Sequence, residues 1–233
     1  IWAVDVEGFT QASQAYLRNT PILRTEVEDV SGNALEILDF APRYRQSGRV
    51  YRPTSMIRLI RPLAGTPMIR IRLRPAAEWA ARAAERTSGS NHIRYICSDV
   101  TLRLTTDCPV SHIFTERWFR LEEPLSLFLG PDEPFDGDVS STCARMLADT
   151  RRYWMEWVRT LAVPLALMMG IFFTKYVVAV QIAMHPSLPE DRVYALCVGA
   201  LYGAFSGMFA ARGLRLWRLA RRDGRGASGA SLA

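Results

Sequence analysis

The chain has 233 residues, of which 49% are hydrophobic and 22% are charged, and its formal net charge is +6. The excess positive charge lies at the C-terminal end, because residues 1–163 carry 21 arginines against 20 acids and residues 164–233 carry eight cations against three acids. A nucleic-acid-binding domain would carry a basic stripe on its folded part, so this distribution argues against a nucleic-acid partner. The four cysteines have no CxxC spacing and no histidines in metal-ligand register, which favours buried free thiols and predicts no metal or cofactor site. They are Cys97, Cys108, Cys143 and Cys197.

Alternating apolar and polar residues predict antiparallel strands after the first twenty residues. Leu23, Thr25 and Val27 alternate with charged residues, and the Ser31-Gly32-Asn33 turn leads into an apolar run over 34–40, which predicts a hairpin. Residues 56–62 and 68–74 flank a second glycine-containing turn and predict a second hairpin. One face of its second strand carries Arg70, Arg72 and Arg74. We interpret this face as solvated, with anion binding as the alternative.

Further short segments extend this pattern to about residue 135. We expect a short helix over 76–84 and strands over 92–97, 100–105, 111–121 and 125–129. No helix long enough for a parallel crossover lies between them, so the spacing favours an antiparallel β-sandwich. Asp138 or Ser140 can cap a following helix, whose apolar stripe is predicted to pack on the sandwich. The stripe consists of Cys143, Met146, Leu147, Trp154, Trp157, Val158 and Leu161. Stacking of its tryptophans on sugar rings is the alternative.

Several motifs in residues 16–164 together resemble one enzyme family. They include YLRNT at 16–20, EILDFAPR at 36–43, RLIRPLAG at 58–65, LRLTTD at 102–107 and YWMEW at 153–157. In order and spacing these motifs resemble the N-terminal domain of glycoside hydrolase family 15, the bacterial glucoamylase-like and trehalase-like enzymes. The resemblance implies a β-sandwich, a linking helix and then an (α/α) toroid that holds two catalytic glutamates. Inverting hydrolysis needs such a pair roughly 6.5–9.5 Å apart.

The toroid does not follow in this chain, since the resemblance ends at Pro164. We therefore assign no catalytic residue, and an oligosaccharide partner would require the missing catalytic domain. We also expect the family's opening segment, which precedes Tyr16, to be truncated. Nothing in the sequence brings together two of the acids in the sandwich region. These acids are Asp39, Asp99, Asp107, Glu116, Glu122 and Glu123.

The remainder of the chain predicts a transmembrane helical hairpin over 164–211. Residues 164–184 and 193–211 are each long enough to cross a ~30 Å hydrocarbon layer, and residues 185–192 form the turn. Lys175 lies near the middle of the first span, where a lysine opposes insertion by about 2.5–3.5 kcal/mol. We therefore expect this intramembrane charge to face protein or water, or to have a functional role. Gly199, Gly203 and Gly207 share one helix face that predicts close packing of another helix. The same face could join copies into a homo-oligomer.

Flanking residues predict the orientation of the hairpin. Arginines precede the first span and follow the second, and Arg212, Arg215 and Trp217 are predicted interface anchors. By the positive-inside rule both termini are cytoplasmic, and the protein lies in a bacterial inner membrane with lipid as its partner. The predicted organisation is a truncated sandwich over 1–135, a linker helix over 136–163, the hairpin over 164–211, and a basic segment with a disordered tail over 212–233.

Three interpretations of the function remain open. The first is a non-catalytic remnant of a family 15-like hydrolase that is attached to a membrane hairpin. The second is a small inner-membrane protein, similar to bacterial membrane proteins of unknown function, whose cytoplasmic sandwich is an interaction module. The third is a chimeric chain joined near Pro164, where the resemblance stops.

Overall fold

The computed structural model describes residues 1–77 and 82–229. The chain divides into two compact units, Ile1–Val158 and Arg159–Ala233. The strands of the first unit are β1 Trp2–Val6, β2 Phe9–Tyr16, β3 Leu23–Asp29, β4 Ala34–Phe40, β5 Tyr44–Gln46, β6 Arg49–Tyr51, β7 Met56–Ala64, β8 Met68–Leu73, β9 Ala76–Ala77, β10 Arg82–Ala83, β11 Glu85–Ser88, β12 His92–Ile96, β13 Thr101–Thr106, β14 Phe119–Arg120 and β15 Leu125–Pro131. The helices are α1 Val110–Phe114, α2 Val139–Met184 and α3 Arg192–Gly229.

The described strands form two principal antiparallel sheets. The large sheet has the order β11-β12-β13-β15-β7-β4-β3-β2, and the small sheet has the order β1-β8-β14. Two further pairs, β5-β6 and β9-β10, form small ribbons. The predicted fold class is confirmed: an antiparallel β-rich region is followed by long apolar helices.

The main core lies between the two principal sheets because their inward residues alternate along each strand. Leu35 and Ile37 of β4 and Ile60 of β7 belong to one buried cluster with Ile69 and Ile71 of β8. Each of these side chains is at most 7% exposed. At roughly 25 cal/mol per Å² of apolar surface, burial of this kind is the dominant stabilising term of the first unit.

The opposite face of β4 is covered by the start of α2. Leu38 and Phe40 pack with Val139, Cys143 and Met146 in a second buried cluster. Strand β4 is therefore buried on both faces, which explains its nearly unbroken apolar sequence. The predicted packing of the helix stripe on the sandwich is confirmed for these first turns, whereas Trp157 and Leu161 further along are 47% and 49% exposed.

Helix α2 begins where the sequence predicts and then runs without interruption past Pro164. The Ser141 backbone N–H donates to Asp138 Oδ2 at 2.8 Å, so Asp138 is the capping residue. A single 3-10 turn, Leu188–Glu190, separates α2 from α3. Helix α3 continues to Gly229, so the C-terminal tail, which the sequence predicts to be disordered, is helical as far as residue 229. Residues 230–233 lie outside the described part.

The second predicted hairpin is wrong, although both of its strands are present. Strand β7 pairs with β4 and β15, and β8 pairs with β1 and β14. The chain crosses from one sheet to the other through residues 65–67, and Ile69, Ile71 and Leu73 enter the core from the opposite layer. Each sheet gains one strand in this way.

Two other predicted elements are wrong. The helix expected over 76–84 is replaced by the β9-β10 ribbon, with Arg82 opposite Ala77, while residues 78–81 lie outside the described part. The strand expected over 111–121 is divided into α1 and the short β14. Val110 and Ile113, three residues apart, are both buried, so a helical turn places both against the core, which an extended strand would not do.

Candidate functional site

Helices α2 and α3 expose long apolar surfaces. Val139–Met184 includes an 18-residue window of mean hydropathy 1.9, and Arg192–Ala211 includes one of 1.6. None of either window is buried. A core helix of a water-soluble protein would be covered, so these helices have the length, composition and exposure required to cross a membrane.

The two helices of the hairpin contact each other through large residues on α3. A Cβ atom added at Gly170 of α2 would lie 3.1 Å from Phe205 Cε1, so the absence of a side chain at residue 170 admits the phenylalanine ring. The Tyr194 hydroxyl donates to Gln181 Oε1 at 3.2 Å near the connector. Between the helices lies an apolar groove of about 420 Å³, lined in part by Phe173 and Leu201.

The predicted glycine face does not contact α2. Cβ atoms added at Gly199, Gly203 and Gly207 would meet nothing within 4 Å. This face of α3 is therefore not covered by α2 in the described structure. Lys175 is exposed and has no ion pair with a described residue. The side chains of the predicted anchors Arg212, Arg215 and Trp217 lie outside the described part of the chain.

Arg70 and Arg72 of β8 and the following Arg74 are held by carboxylates of neighbouring elements. Arg70 Nε and Arg72 Nη2 donate to the two oxygens of Asp5 at 2.9 and 2.6 Å, and Arg74 forms a two-point ion pair with Glu116. Burial opposes ionisation of Asp5, but the hydrogen bonds from both arginines outweigh it and lower the pKa of this carboxyl. Because the arginines already have carboxylate partners, the β8 face is a poor anion site.

Three of the six acids singled out from the sequence have separate structural partners. Asp39 accepts two hydrogen bonds from Arg58, at 2.7 and 2.9 Å. Asp107 accepts the Ser126 backbone N–H at 2.7 Å, and its burial raises the pKa of its carboxyl. Glu116 is occupied by Arg74. These geometries are those of structural ion pairs and turns, and we assign none of these acids a catalytic role.

All four cysteines are free. Cys108 and Cys143 are buried as predicted, and burial raises the pKa of each thiol to about 12. Cys97 is half-buried and Cys197 is exposed, so the prediction of buried thiols is wrong for these two residues. Within residues 1–77 and 82–229, no three His, Cys, Asp or Glu side chains are grouped so that they could hold a metal ion.

One cavity of the first unit combines apolar walls with convergent polar groups. It measures about 570 Å³ and is lined by ends of both sheets and by α1. Tyr95 contributes to its wall, Phe114 gives it an aromatic surface, and Arg86 and Glu116 carry its charges. Concave sites of this size that combine apolar surface with convergent polar groups are typical of small-ligand sites. The sequence singles out neither Tyr95 nor Arg86, because alternation predicts that Tyr95 points inward but not what it meets.

The comparison with protein families gives one match. Residues 148–227 match a family of unknown function, DUF6622. The matched segment comprises α2 beyond its first turns, the connector and most of α3, and is less than half of the chain. No curated protein and no solved structure gives a significant match. The strands before residue 148 therefore have no counterpart in these comparisons, and the resemblance to glycoside hydrolase family 15 rests on the sequence motifs.

Proposed function

We propose that this chain is a membrane-anchored protein whose β-sandwich is the non-catalytic N-terminal part of a glycoside hydrolase family 15-like protein. Helices α2 and α3 cross a bacterial inner membrane as a hairpin, and both termini lie in the cytoplasm. No residue of the 233 is assigned to bond cleavage, because the motifs that carry the resemblance end before the part of the family that contains the catalytic glutamates.

The complete exposure of both apolar windows is the observation that carries the membrane part of this proposal. Nine Leu, Ile, Val or Phe residues in 164–184 favour insertion by about 0.3–0.6 kcal/mol each, against about 2.5–3.5 kcal/mol for Lys175. The balance for the first span is small, so the second span, which has no charge over 193–211, supports it. Arginines on the outer flanks of both spans favour cytoplasmic termini.

The architecture of the first unit supports the sandwich part of the proposal. Two antiparallel sheets followed by a helix agree with the β-sandwich and linking helix that the resemblance implies. The DUF6622 match runs through Pro164 without interruption. That continuity favours one natural segment across Pro164 over an artificial join at this residue.

Three experiments test the proposal on the full chain. Extraction of cell membranes at alkaline pH should leave the protein in the pellet, and release into the supernatant would contradict a spanning hairpin. A reporter that is active only in the periplasm should be active when inserted in the 185–191 connector and inactive when fused to either terminus. Assays on maltooligosaccharides and trehalose should show no turnover by the purified chain, since turnover would require a catalytic pair that we do not assign.

A second function, a protein-interaction module at the membrane surface, is favoured by strand β2. All eight residues of Phe9–Tyr16 are exposed, and β2 is the free edge of the large sheet. The strand contains no charged residue and no proline, the usual means by which sheet edges avoid pairing. At the opposite edge, β11 is shorter and carries Glu85 and Arg86. An extended segment of another protein could therefore pair with β2.

Site-specific photocrosslinking distinguishes this second function. A photoreactive residue in place of Ser13, at the middle of β2, should give a discrete adduct in cells, and the matched position Thr87 on β11 should not. Mass spectrometry should place the captured residues in one segment of one partner. Ser13→Lys should reduce adduct formation by a crosslinker placed at Ala12, because a charge protects a sheet edge. Equal adducts from both edges would contradict the assignment.

A further inference from the structure

Tyr95, which lines the cavity between the two sheets and α1, has a buried hydroxyl without a partner in the described structure. Tyr95 is 1% exposed, it lines the cavity, and its hydroxyl oxygen makes no hydrogen bond within the described structure. A buried hydroxyl without a partner costs about 1–3 kcal/mol. A group that enters the cavity and bonds to this hydroxyl would remove that cost.

Two donors of the cavity wall, the Tyr95 hydroxyl and the Arg86 guanidinium, have free hydrogen-bonding capacity. Burial raises the pKa of Tyr95 to about 12, so its O–H remains protonated and able to donate. Arg86 Nη1 donates to the Phe114 carbonyl at 3.2 Å, which occupies one of the five N–H groups of its guanidinium. Among the side-chain acceptors of the wall, Glu116 is already bound at two points by Arg74, and the Thr115 hydroxyl is engaged with the Ser111 carbonyl, to which it donates at 2.7 Å. Hence the ligand must supply an acceptor.

The charge of the cavity points to an anion. Arg74 and Glu116 neutralise each other, and Arg86 adds one positive charge. Arg86 and Tyr95 are directly opposite each other in the pairing of β11 with β12, so their side chains lie on the same face of the sheet. A planar group with two acceptor oxygens can meet both donors, and carboxylate suits the guanidinium fork.

The apolar residues of the cavity wall determine the shape and polarity of the part of the ligand that they contact. Pro75 and Ala84 are apolar, and the Phe114 ring lies 4.7 Å from Arg86 Cζ in a cation–π contact. Pro75, Ala84 and Phe114 offer no side-chain hydrogen-bonding group, so the part of the ligand that contacts them is apolar. We infer that this cavity is a binding site for a small carboxylate with an apolar, ring-sized body, held by Arg86 and Tyr95. This site is independent of the proposed membrane anchoring and of the family resemblance.

Titration of the detergent-solubilised full chain with benzoate tests the site, with neutral benzamide and maltose as matched probes. Saturation-transfer NMR should show saturable benzoate binding, little binding of benzamide and none of maltose. Tyr95→Phe removes one oxygen atom and should weaken benzoate by about tenfold while preserving or raising the melting temperature. Arg86→Gln should weaken it by about tenfold or more, and Arg45→Gln, an exposed arginine outside the cavity, should leave it unchanged.

Each alternative result has a defined meaning. Equal binding of benzamide and benzoate, or wild-type affinity in both cavity variants, would overturn the carboxylate site. Maltose binding in place of benzoate would identify a neutral sugar as the occupant and would also overturn it, as would the absence of saturable benzoate binding. If Arg86→Gln does not fold, Tyr95→Phe decides the matter, because the loss of an unpartnered hydroxyl does not disrupt the core.

Discussion

Alkaline pH should unfold the first unit at a pH where the hairpin remains in the membrane. Tyr95, Cys108 and Cys143 are each at most 2% exposed, and burial raises the pKa of each to about 12. Unfolding returns them to ordinary values of 10.0 for the phenol and 9.0 for the thiols. Because the folded-state pKa is the higher one, their contribution to stability is complete below pH 9 and is lost as the pH rises towards 12.

The magnitude of this loss is comparable to the whole stability of a domain. At about pH 11, each thiol ionises in the unfolded chain but not in the folded chain, which costs about 3 kcal/mol of folding stability. The phenol adds about 1 kcal/mol. The three groups together remove about 7 kcal/mol, against a typical domain stability of about 5–15 kcal/mol. The unfolded state should therefore become populated near this pH.

Thermal melts of the detergent-solubilised chain between about pH 8 and pH 11, followed by tryptophan fluorescence, measure the effect. The melting temperature should fall steeply above pH 9, and Cys108→Ala with Cys143→Ala should make the fall shallower by about two protons. Each alanine substitution has its own packing cost, so the pH slopes are compared instead of the absolute temperatures. An unchanged melting temperature at pH 11, or an identical slope in the double variant, would refute the burial argument.

Three further predictions test other parts of the structure. Thr150→Val removes the acceptor of the Arg43 backbone N–H, a 3.1 Å bond to a fully buried hydroxyl, and should lower the free energy of unfolding in urea by about 1–3 kcal/mol. Gly203→Leu should reduce crosslinked dimers in membranes if the open glycine face joins copies, without loss of membrane insertion; unchanged crosslinking would refute that contact. Asp5→Asn should flatten the acid-side loss of stability below about pH 5, since the lowered pKa of Asp5 stabilises the fold only while the carboxyl is ionised. If the stability of Asp5→Asn falls with acid in the same way as that of the wild type, Arg70 and Arg72 do not stabilise the ionised Asp5.

Local patterns predicted the elements whose partners are close in sequence. The β3-β4 hairpin follows from alternation and the Ser31-Gly32-Asn33 turn, since a short glycine-containing loop brings its own flanking strands together. The Asp138 cap and the apolar spacing of the first α2 turns are local in the same sense. The length and hydropathy of residues 164–211 required no tertiary information at all.

Elements whose partners are distant in sequence were not predictable in this way. Alternation identified β8 as a strand but could not show that Trp2–Val6, more than sixty residues earlier, is its neighbour. The same limit applies to the arginine face, because the acids that neutralise it come from β1 and from the turn after α1. The glycine spacing predicted a helix face, but only the Gly170–Phe205 contact shows that α3 uses another face against α2.

The resemblance to glycoside hydrolase family 15 and the match to DUF6622 overlap within helix α2. Residues 153–157 carry the last family 15-like motif, and they also lie inside the segment that matches DUF6622. In the structure Tyr153 and Trp154 flank Arg43, whose guanidinium lies 5.4 and 5.3 Å from their ring centres. The neighbouring Thr150 accepts the Arg43 N–H. The first turns of helix α2 thus belong to the sandwich core, and some of the residues that make these contacts lie in the matched segment. A join at Pro164 would lie C-terminal to these contacts. The contacts require that the first turns of the matched segment fold together with the sandwich.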